Sequence, residues 1–389
     1  MFPFILLVLL SLLATLAYSG ASYCFGARGA LWRRLLIVFN IIVLVLIFTG
    51  RRLYAVLGAD ICRAVLLVVV PLLMAELLFG LTANLCHIFS RGRQALQKKD
   101  RAAENAVPDS SRRRFLLGAV LAPAALTASA YAAAGERTRT VVNCFELLLQ
   151  ELPEELQGYS IAQLSDVHLG MFYSLKDWRS LLEQAASLGV DVLAVTGDLF
   201  DDDELNERAA AILDEYVPRF PQGIWFCYGN HEHFRDIERT RLALAKTRVH
   251  VLVNEAACVA GQGTARPLWF SGVDYPYPRH RFAELRAEFA EQAFRAVPEN
   301  AVHVFLAHHS DFIDEGAAKG AALVLTGHTH GGQIGFCGVP AVPHRFKYMR
   351  GLYKVGNTLG YVHVGNGSWF PFRLGCPPEI AVFTLKRKQ

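Results

Sequence analysis

The sequence predicts a layered α/β domain standing behind an apolar, membrane-type helical region. Three observations lead there. Composition changes sharply near residue 134, strand-like and helix-like apolar patterns alternate after residue 158, and five short clusters of Asp, Asn and His each follow an apolar run.

Four apolar segments occupy the amino-terminal third, at 2–18, 35–48, 64–89 and 115–134. A helix needs roughly 20 apolar residues to cross the hydrocarbon core. The third and fourth segments meet that length, the first is adequate and the second is short, so four spans are expected, with three as the other reading. Residues 91–114 hold Arg91, Arg93, Lys98, Lys99, Arg101, Arg112, Arg113 and Arg114, which the positive-inside rule places in the cytoplasm. The next span then carries everything after residue 140 to the extracytoplasmic side of a multi-pass membrane protein. Arg28, Arg33 and Arg34 agree with this threading, whereas Arg51, Arg52 and Arg63 oppose it. Ser111-Arg-Arg-Arg-Phe115-Leu116 reads either as a twin-arginine export signal or as the cationic flank of a span; both export the later domain. Glu76, in the third span, raises a functional hypothesis because carboxylates are costly there. Its simpler reading is a hydrogen-bonded side chain at a helix interface, and Asn40 is read as packing glue.

A formal net charge of +4 gives no ground for a nucleic-acid partner. The eight Cys form no C-x-x-C pair, which excludes a zinc ribbon and gives no disulfide framework.

Residues 135–157 read as a linker and first strand, with an extended apolar stretch at 141–149, and residues 158–389 as the globular domain. A strand at 159–164 ends at Asp166 and His168, and a helix over 174–188 follows. The continuous apolar run 190–195, typical of a strand buried on both faces, ends at Asp198. A helix at 204–217 leads to a strand at 223–228, then Asn230 and His231. After a less regular middle come a helix at 281–297, a strand at 302–307 before His308, a helix at 311–319 and a strand at 322–325 before His328 and His330. Short strands at 361–365 and 380–385 complete the sheets. This alternation puts the site at the carboxyl edges of strands, where layered α/β folds bind ligands.

Oxygen from Asp and Asn with imidazole nitrogen, and no Cys, suits first-row divalent ions such as Mn, Fe or Zn. The clusters in their order are D-x-H at Asp166 and His168, G-D-x-x-D at Gly197, Asp198 and Asp201, G-N-H-E from Gly229 to Glu232, then His308, and G-H-x-H from Gly327 to His330. Together they resemble the calcineurin-like metallophosphoesterase family over about residues 158–389. Phe372 to Ile380, with the apolar leader, resembles its membrane-anchored bacterial branch. The resemblance implies a four-layer αββα sandwich and two divalent ions. It assigns Asp166, His168 and His330 to one ion, Asn230, His308 and His328 to the other, and Asp198 to both, with hydroxide formed at the metals attacking phosphorus. It assigns His231 to the leaving oxygen, with Asp201 holding its ring. His308 matches the family position, while His309 and Ser310 replace the commoner Asn-Pro.

The implied function is a membrane-tethered phosphohydrolase acting on phosphodiesters or related phosphate esters, with lipid-linked or envelope-associated substrates. Two alternatives stay open: a nucleotide-sugar-lipid pyrophosphatase of the UDP-diacylglucosamine type, and a catalytically silent metal-bound adaptor. Arg345, Lys347 and Arg350, interleaved with Phe346, Tyr348 and Tyr353, form a candidate anion-binding loop. Trp369, Phe370 and Phe372 read as a core cluster or a bilayer wedge. Asp202 and Asp203 read as solvated helix-start charges, Glu232 as a structural hydrogen-bond partner, and His233, His280, His303, His344 and His363 as surface or core histidines.

Overall fold

Long runs of Leu, Val and Ile in the first third can satisfy their backbone only internally, and they form helices. In this computed structural model the described residues are 15–100, 110–149, 152–336, 339–341, 346–367 and 370–388. Contacts divide the chain into two units, Met1–Gly135 and Glu136–Gln389.

In the first unit, a helix runs over Ala30–Asp100 and another over Ser110–Ala130. Among the described residues, three stretches are long and apolar enough to cross a membrane: Ala30–Gly50, Arg52–Gln94 and Ser111–Thr138. The expected gap between 48 and 64 is thus largely helical. Arg is a good helix former, and the break comes only at Gly58, whose φ is 77°. Of the expected segment 2–18, residues 2–14 lie outside the described residues. Asn40 Nδ2 donates to Glu76 Oε1 at 2.7 Å, a buried pair.

In the second unit the strands, in chain order, are β1 (Val141–Leu149), β2 (Ser160–Leu164), β3 (Val192–Thr196), β4 (Ile224–Cys227), β5 (His250–Val251), β6 (Glu255–Ala260), β7 (Leu268–Gly272), β8 (Val302–Leu306), β9 (Leu323–Thr326), β10 (Gly335–Phe336), β11 (Val339–Pro340), β12 (Gly351–Val355), β13 (Thr358–Val362) and β14 (Glu379–Arg387). One six-stranded sheet has the order β1-β14-β2-β3-β4-β5, and another β12-β13-β9-β8-β7-β6; β10 and β11 form a small hairpin. Strands β2 to β5 run parallel, as do β7, β8, β9 and β13.

Period-two alternation sorts each strand between two cores. Ile161, Ala194, Trp225, Phe270, Leu306, Leu325 and Phe383 meet between the sheets. Ala162, Leu164, Leu193 and Val195 face outward onto Leu181, Ala185 and Leu213 of the helices Leu175–Ser187 and Asn206–Tyr216. Across the molecule, Phe305 and Val324 pack with Ala290 and Ile313 of the helices Phe282–Phe294 and Phe312–Ala318. The result is the expected four-layer αββα sandwich, and it explains why strands such as β3 are apolar throughout. Ser174 starts its helix through a capping box with Asp177.

The less regular middle holds β5, β6 and β7. Edge strand β6 reads Glu-Ala-Ala-Cys-Val-Ala, with few strand-favouring residues, and its register shifts between Cys258 and Ala260. The strand expected at 361–365 ends at Val362, and the residues after it form a loop against Asp166.

Phe270 is fully buried between the sheets, so Phe270→Ala is expected to cost about 3–5 kcal/mol. Leu352, 44% exposed, serves as control, with Leu352→Ala staying within about 0.5 kcal/mol. Denaturant unfolding of the purified protein checks both.

Candidate metal centre

Strands β2, β3 and β4 of one sheet and β8, β9 and β13 of the other end at a common edge, and the loops that follow converge. Backbone bonds stitch them: Asp166 N donates to Gly197 O at 3.0 Å, His168 N to Asp198 O at 2.9 Å, and Gly367 N to Asp166 O at 2.9 Å. The packing leaves no room for side chains at glycines around the cluster. A Cβ on Gly229 would lie 2.2 Å from Asp198 Oδ1, and one on Gly367 would lie 1.7 Å from Val167 O. Asp166, His168, Asp198, His328 and His330 all have left-handed φ, between 50° and 72°. Each such residue costs on the order of 1–3 kcal/mol, so the surrounding contacts hold the side chains where relaxed loops would not.

His168 Nε2 and His330 Nε2 are 2.9 Å apart, and Asp166 Oδ1 lies 3.3 Å from His330 Nε2. His308 Nε2 lies 3.2 Å from His328 Nδ1 and 3.1 Å from Asp198 Oδ2, which is also 3.7 Å from His168 Nε2. Asp166, His168 and His330 form one metal-capable trio; Asp198, His308 and His328 form a second; His168, Asp198 and His231 form a third. Asp198 is common to the last two. His308 Nδ1 bonds Thr196 O at 2.8 Å; a carbonyl only accepts, so Nδ1 carries a proton and Nε2 is the nitrogen turned toward the cluster, where a metal would take it. Asn230 is buried, yet its Oδ1 has no hydrogen-bond partner.

The electrostatics ask for a cation. Burial works to lower the His308 ring, but Asp198 and then Asp166 outweigh it and raise the ring to about 10. Burial works to raise the Asp198 carboxyl, yet His308, His168 and His231 hold it well below the usual carboxylate range. Burial drives His328 and His330 well below the ordinary histidine value, His308 adding to the effect on the first and His168 on the second. The neutral rings of His328 and His330, an orphaned amide oxygen and shared carboxylates belong to the donor set of a divalent metal centre, and these residues fit one.

Supporting groups surround the cluster. Glu232 is fully buried and accepts from the backbone amides of Asp198, Leu199, Phe200 and Gly229 at 2.8–3.1 Å, the structural role expected. His231 Nδ1 meets Asp201 Oδ1 at 2.9 Å, and His231 N donates to Asp198 Oδ1 at 2.8 Å. Burial works to lower the His231 ring, but the Asp201 hydrogen bond and the Asp198 charge raise it. Two arginines escaped sequence reasoning. Arg235 Nη2 donates to Asp201 Oδ1 at 2.7 Å. Arg373, fully buried, donates to Val364 O, Cys376 O, Gly365 O and Gly367 O at 2.7–3.2 Å and lies 3.4 Å from His330 Nδ1. Its sole signal was its place in the Phe372 to Ile380 motif.

Other expectations resolve residue by residue. Among the described residues His309 joins no metal-capable trio; its Nδ1 accepts from Asp311 N at 3.2 Å. Lys347 Nζ pairs with Asp314 at 2.8 Å and Arg350 Nη1 donates to Gly375 O at 3.1 Å, so neither is brought into the cluster; Arg345 lies outside the described residues. His233 pairs with Asp274 and His303 with Ser271, both at 2.7 Å, while His363 Nδ1 accepts from Gly365 N at 2.9 Å. His280 is exposed, and His344 lies outside the described residues. Phe372 is fully buried, Phe370 half-buried, and Trp369 outside the described residues. Asp202 accepts from Glu204 N and Asp203 from Asp236 N at the start of helices.

Arg373→Lys keeps the charge but loses the guanidinium fork that reaches four carbonyls. Metal affinity is expected to fall about 10–100-fold with secondary structure intact by circular dichroism. Unchanged metal content after dialysis would detach Arg373 from the centre.

Residues 159–332 match the calcineurin-like phosphoesterase family profile. The chain is 29% identical over 313 residues to a "Transmembrane protein with metallophosphoesterase domain" of Danio rerio, covering 75% of this chain and 67% of that protein. It is 27% identical to the "Uncharacterized metallophosphoesterase YkuE" of Bacillus subtilis, covering 71% of this chain and 98% of the relative. It is 29% identical to "Phosphodiesterase YaeI" of Escherichia coli, covering 62% and 88%. With the αββα layers and the convergent Asp, Asn and His side chains, this match identifies residues 159–332 as a calcineurin-like phosphoesterase domain, a hydrolase domain acting on phosphate esters.

Proposed function

We propose that this protein is a membrane-tethered phosphodiesterase with two divalent ions, one held by Asp166, His168 and His330, the other by Asn230, His308 and His328, and Asp198 shared between them. The observation that carries this reading is the position of Asp198, whose Oδ2 lies within 3.7 Å of ring nitrogens from both groups. When bound, such ions polarise the phosphoryl group and gather its charge. His231 supplies the proton chemistry. Its Nδ1 is engaged by Asp201, which leaves Nε2 as the nitrogen that gives a proton to the leaving oxygen. Asp201 is a positioning residue, itself steadied by Arg235.

A diester substrate is supported by the relative named as a phosphodiesterase. Membrane attachment is supported by the three apolar stretches and by relatives named as transmembrane proteins. The cations between residues 91 and 114 argue for a domain on the extracytoplasmic side, where lipid-linked or envelope phosphates are at hand. Arg51, Arg52 and Arg63 favour the opposite threading, and with it the nucleotide-sugar-lipid pyrophosphatase reading. A topology reporter fused after Gln389 separates the two: a cytoplasmic signal removes the extracytoplasmic assignment. A silent adaptor is disfavoured because Asp166, His168, Asp198, Asn230, His308, His328 and His330 are all present.

Asp198→Ala is expected to lose both bound metal, by elemental analysis, and cleavage of bis-p-nitrophenyl phosphate. His231→Ala is expected to keep its metal and lose about 100- to 10,000-fold in kcat. An unimpaired rate in that variant removes His231 from the reaction.

A further inference from the structure

A pocket of about 430 Å³ opens beside the metal centre, a size suited to a small organic group. Asn230 and His328 form part of its wall, so a substituent on a phosphorus held at the centre has this space to enter. Much of the remaining wall is aromatic: Phe234, Tyr275, Tyr277, Phe282 and Phe346, with no aliphatic side chain among the described residues that line it. Two of these rings are left bare, Phe234 at 57% and Tyr277 at 51% exposed. Their centroids are 6.2 Å apart and their planes cross at 70°, which makes a corner with two flat apolar faces. Flexible aliphatic side chains mould to an acyl chain, whereas ring faces favour flat partners that can stack or meet them edge-on. Polar groups stand in the same wall. Arg279, exposed, offers a planar donor, and Asp311, paired to Arg286 at 3.1 Å, offers an acceptor.

We propose that this pocket receives a planar, hydrogen-bonding ring of the nucleobase or aryl class, carried by the phosphate ester, rather than an acyl chain. The inference rests on reading the neighbouring centre as a phosphohydrolase site and narrows its substrate class. Phe234, Tyr277 and Phe282 are the residues that select the ring, and Arg279 meets its polar edge. These groups set binding, not the chemical step.

Thymidine 5′-monophosphate, phenyl phosphate and hexyl phosphate share one phosphate and differ in the group offered to the pocket. Titration calorimetry of the full chain in detergent, with Mn added, reads their affinities without turnover. Both ring phosphates are expected to bind about tenfold more tightly than hexyl phosphate, and Tyr277→Ala with Phe282→Ala to weaken the ring phosphates more than hexyl phosphate, removing most of that preference. Equal or tighter binding of hexyl phosphate, no binding of either ring phosphate, or a preference that survives both substitutions overturns the proposal. Tighter binding of the thymidine compound than of phenyl phosphate, lost in Arg279→Ala, assigns a base edge to Arg279; equal affinities remove that contact. A separate assay uses the p-nitrophenyl esters of thymidine 5′-phosphate and methyl phosphate, which release the same leaving group. Failure to cleave both with metal bound sinks the phosphohydrolase reading, while the calorimetry still decides the pocket.

Discussion

Buried carboxylates are the constraint from which the rest of this domain follows. Asp166, Asp198 and Glu232 are each almost wholly excluded from water within one loop cluster, and an unpaired buried anion costs several kcal/mol. The fold answers them in two different ways. Glu232 has both oxygens filled by four backbone amides, so it is a closed structural anchor. Asp198 Oδ2 and Asp166 Oδ1 instead face imidazole nitrogens, and those oxygens can be completed by cations. Closed and open carboxylates side by side separate scaffold from site.

Backbone strain follows from the same requirement. Oxygen and nitrogen donors from five loops converge only if several residues turn sharply straight after a strand, and the left-handed φ values at Asp166, His168, Asp198, His328 and His330 are those turns. Glycine at 229 and 367 allows the facing backbone to approach closely enough to over-determine them. Arg373 completes the enclosure by tying four carbonyls of the 364–376 loop behind His330. A cationic group behind a metal-facing ring adds repulsion toward a bound ion. Its compensation is geometric, because His330 cannot swing out while the loop is tied.

How much was legible in the sequence depends on how local each signal is. Asp166, His168, Asp198, Asn230, His231, His308, His328 and His330 sit in short motifs directly after strands, so residue type and position were enough to find them. Arg373 acts through main-chain oxygens that the fold alone brings together, and no spacing rule points to it. Lys347 looked like part of an anion-binding loop because cations and rings alternate there; Asp314, 33 residues earlier in the chain, takes its ammonium. The aromatic pocket was equally hidden, since Phe234, Tyr277, Phe282 and Phe346 share no period. Strand β6 was missed for a different reason: at an edge, Ala and Glu suffice, because half of the burial that marks a central strand is absent.

Each proposed metal trio draws on both sheets. Asp166 and His168 follow β2 whereas His330 follows β9, and Asn230 follows β4 whereas His308 and His328 follow β8 and β9. The distance between ligands is therefore set by how the two sheets pack, not by either sheet alone. Gln163, fully buried, bridges them next to the cluster, its Nε2 donating to Thr196 Oγ1 of β3 and Thr326 O of β9, both at 2.9 Å. A close-packed interior has few ways to adjust, so the apolar layer of Ile161, Phe270, Leu306 and Phe383 acts as the spacer that fixes ligand separation. Core residues far from the chemistry thereby hold the geometry on which the chemistry rests, and a change in inter-sheet packing moves donors of both trios together.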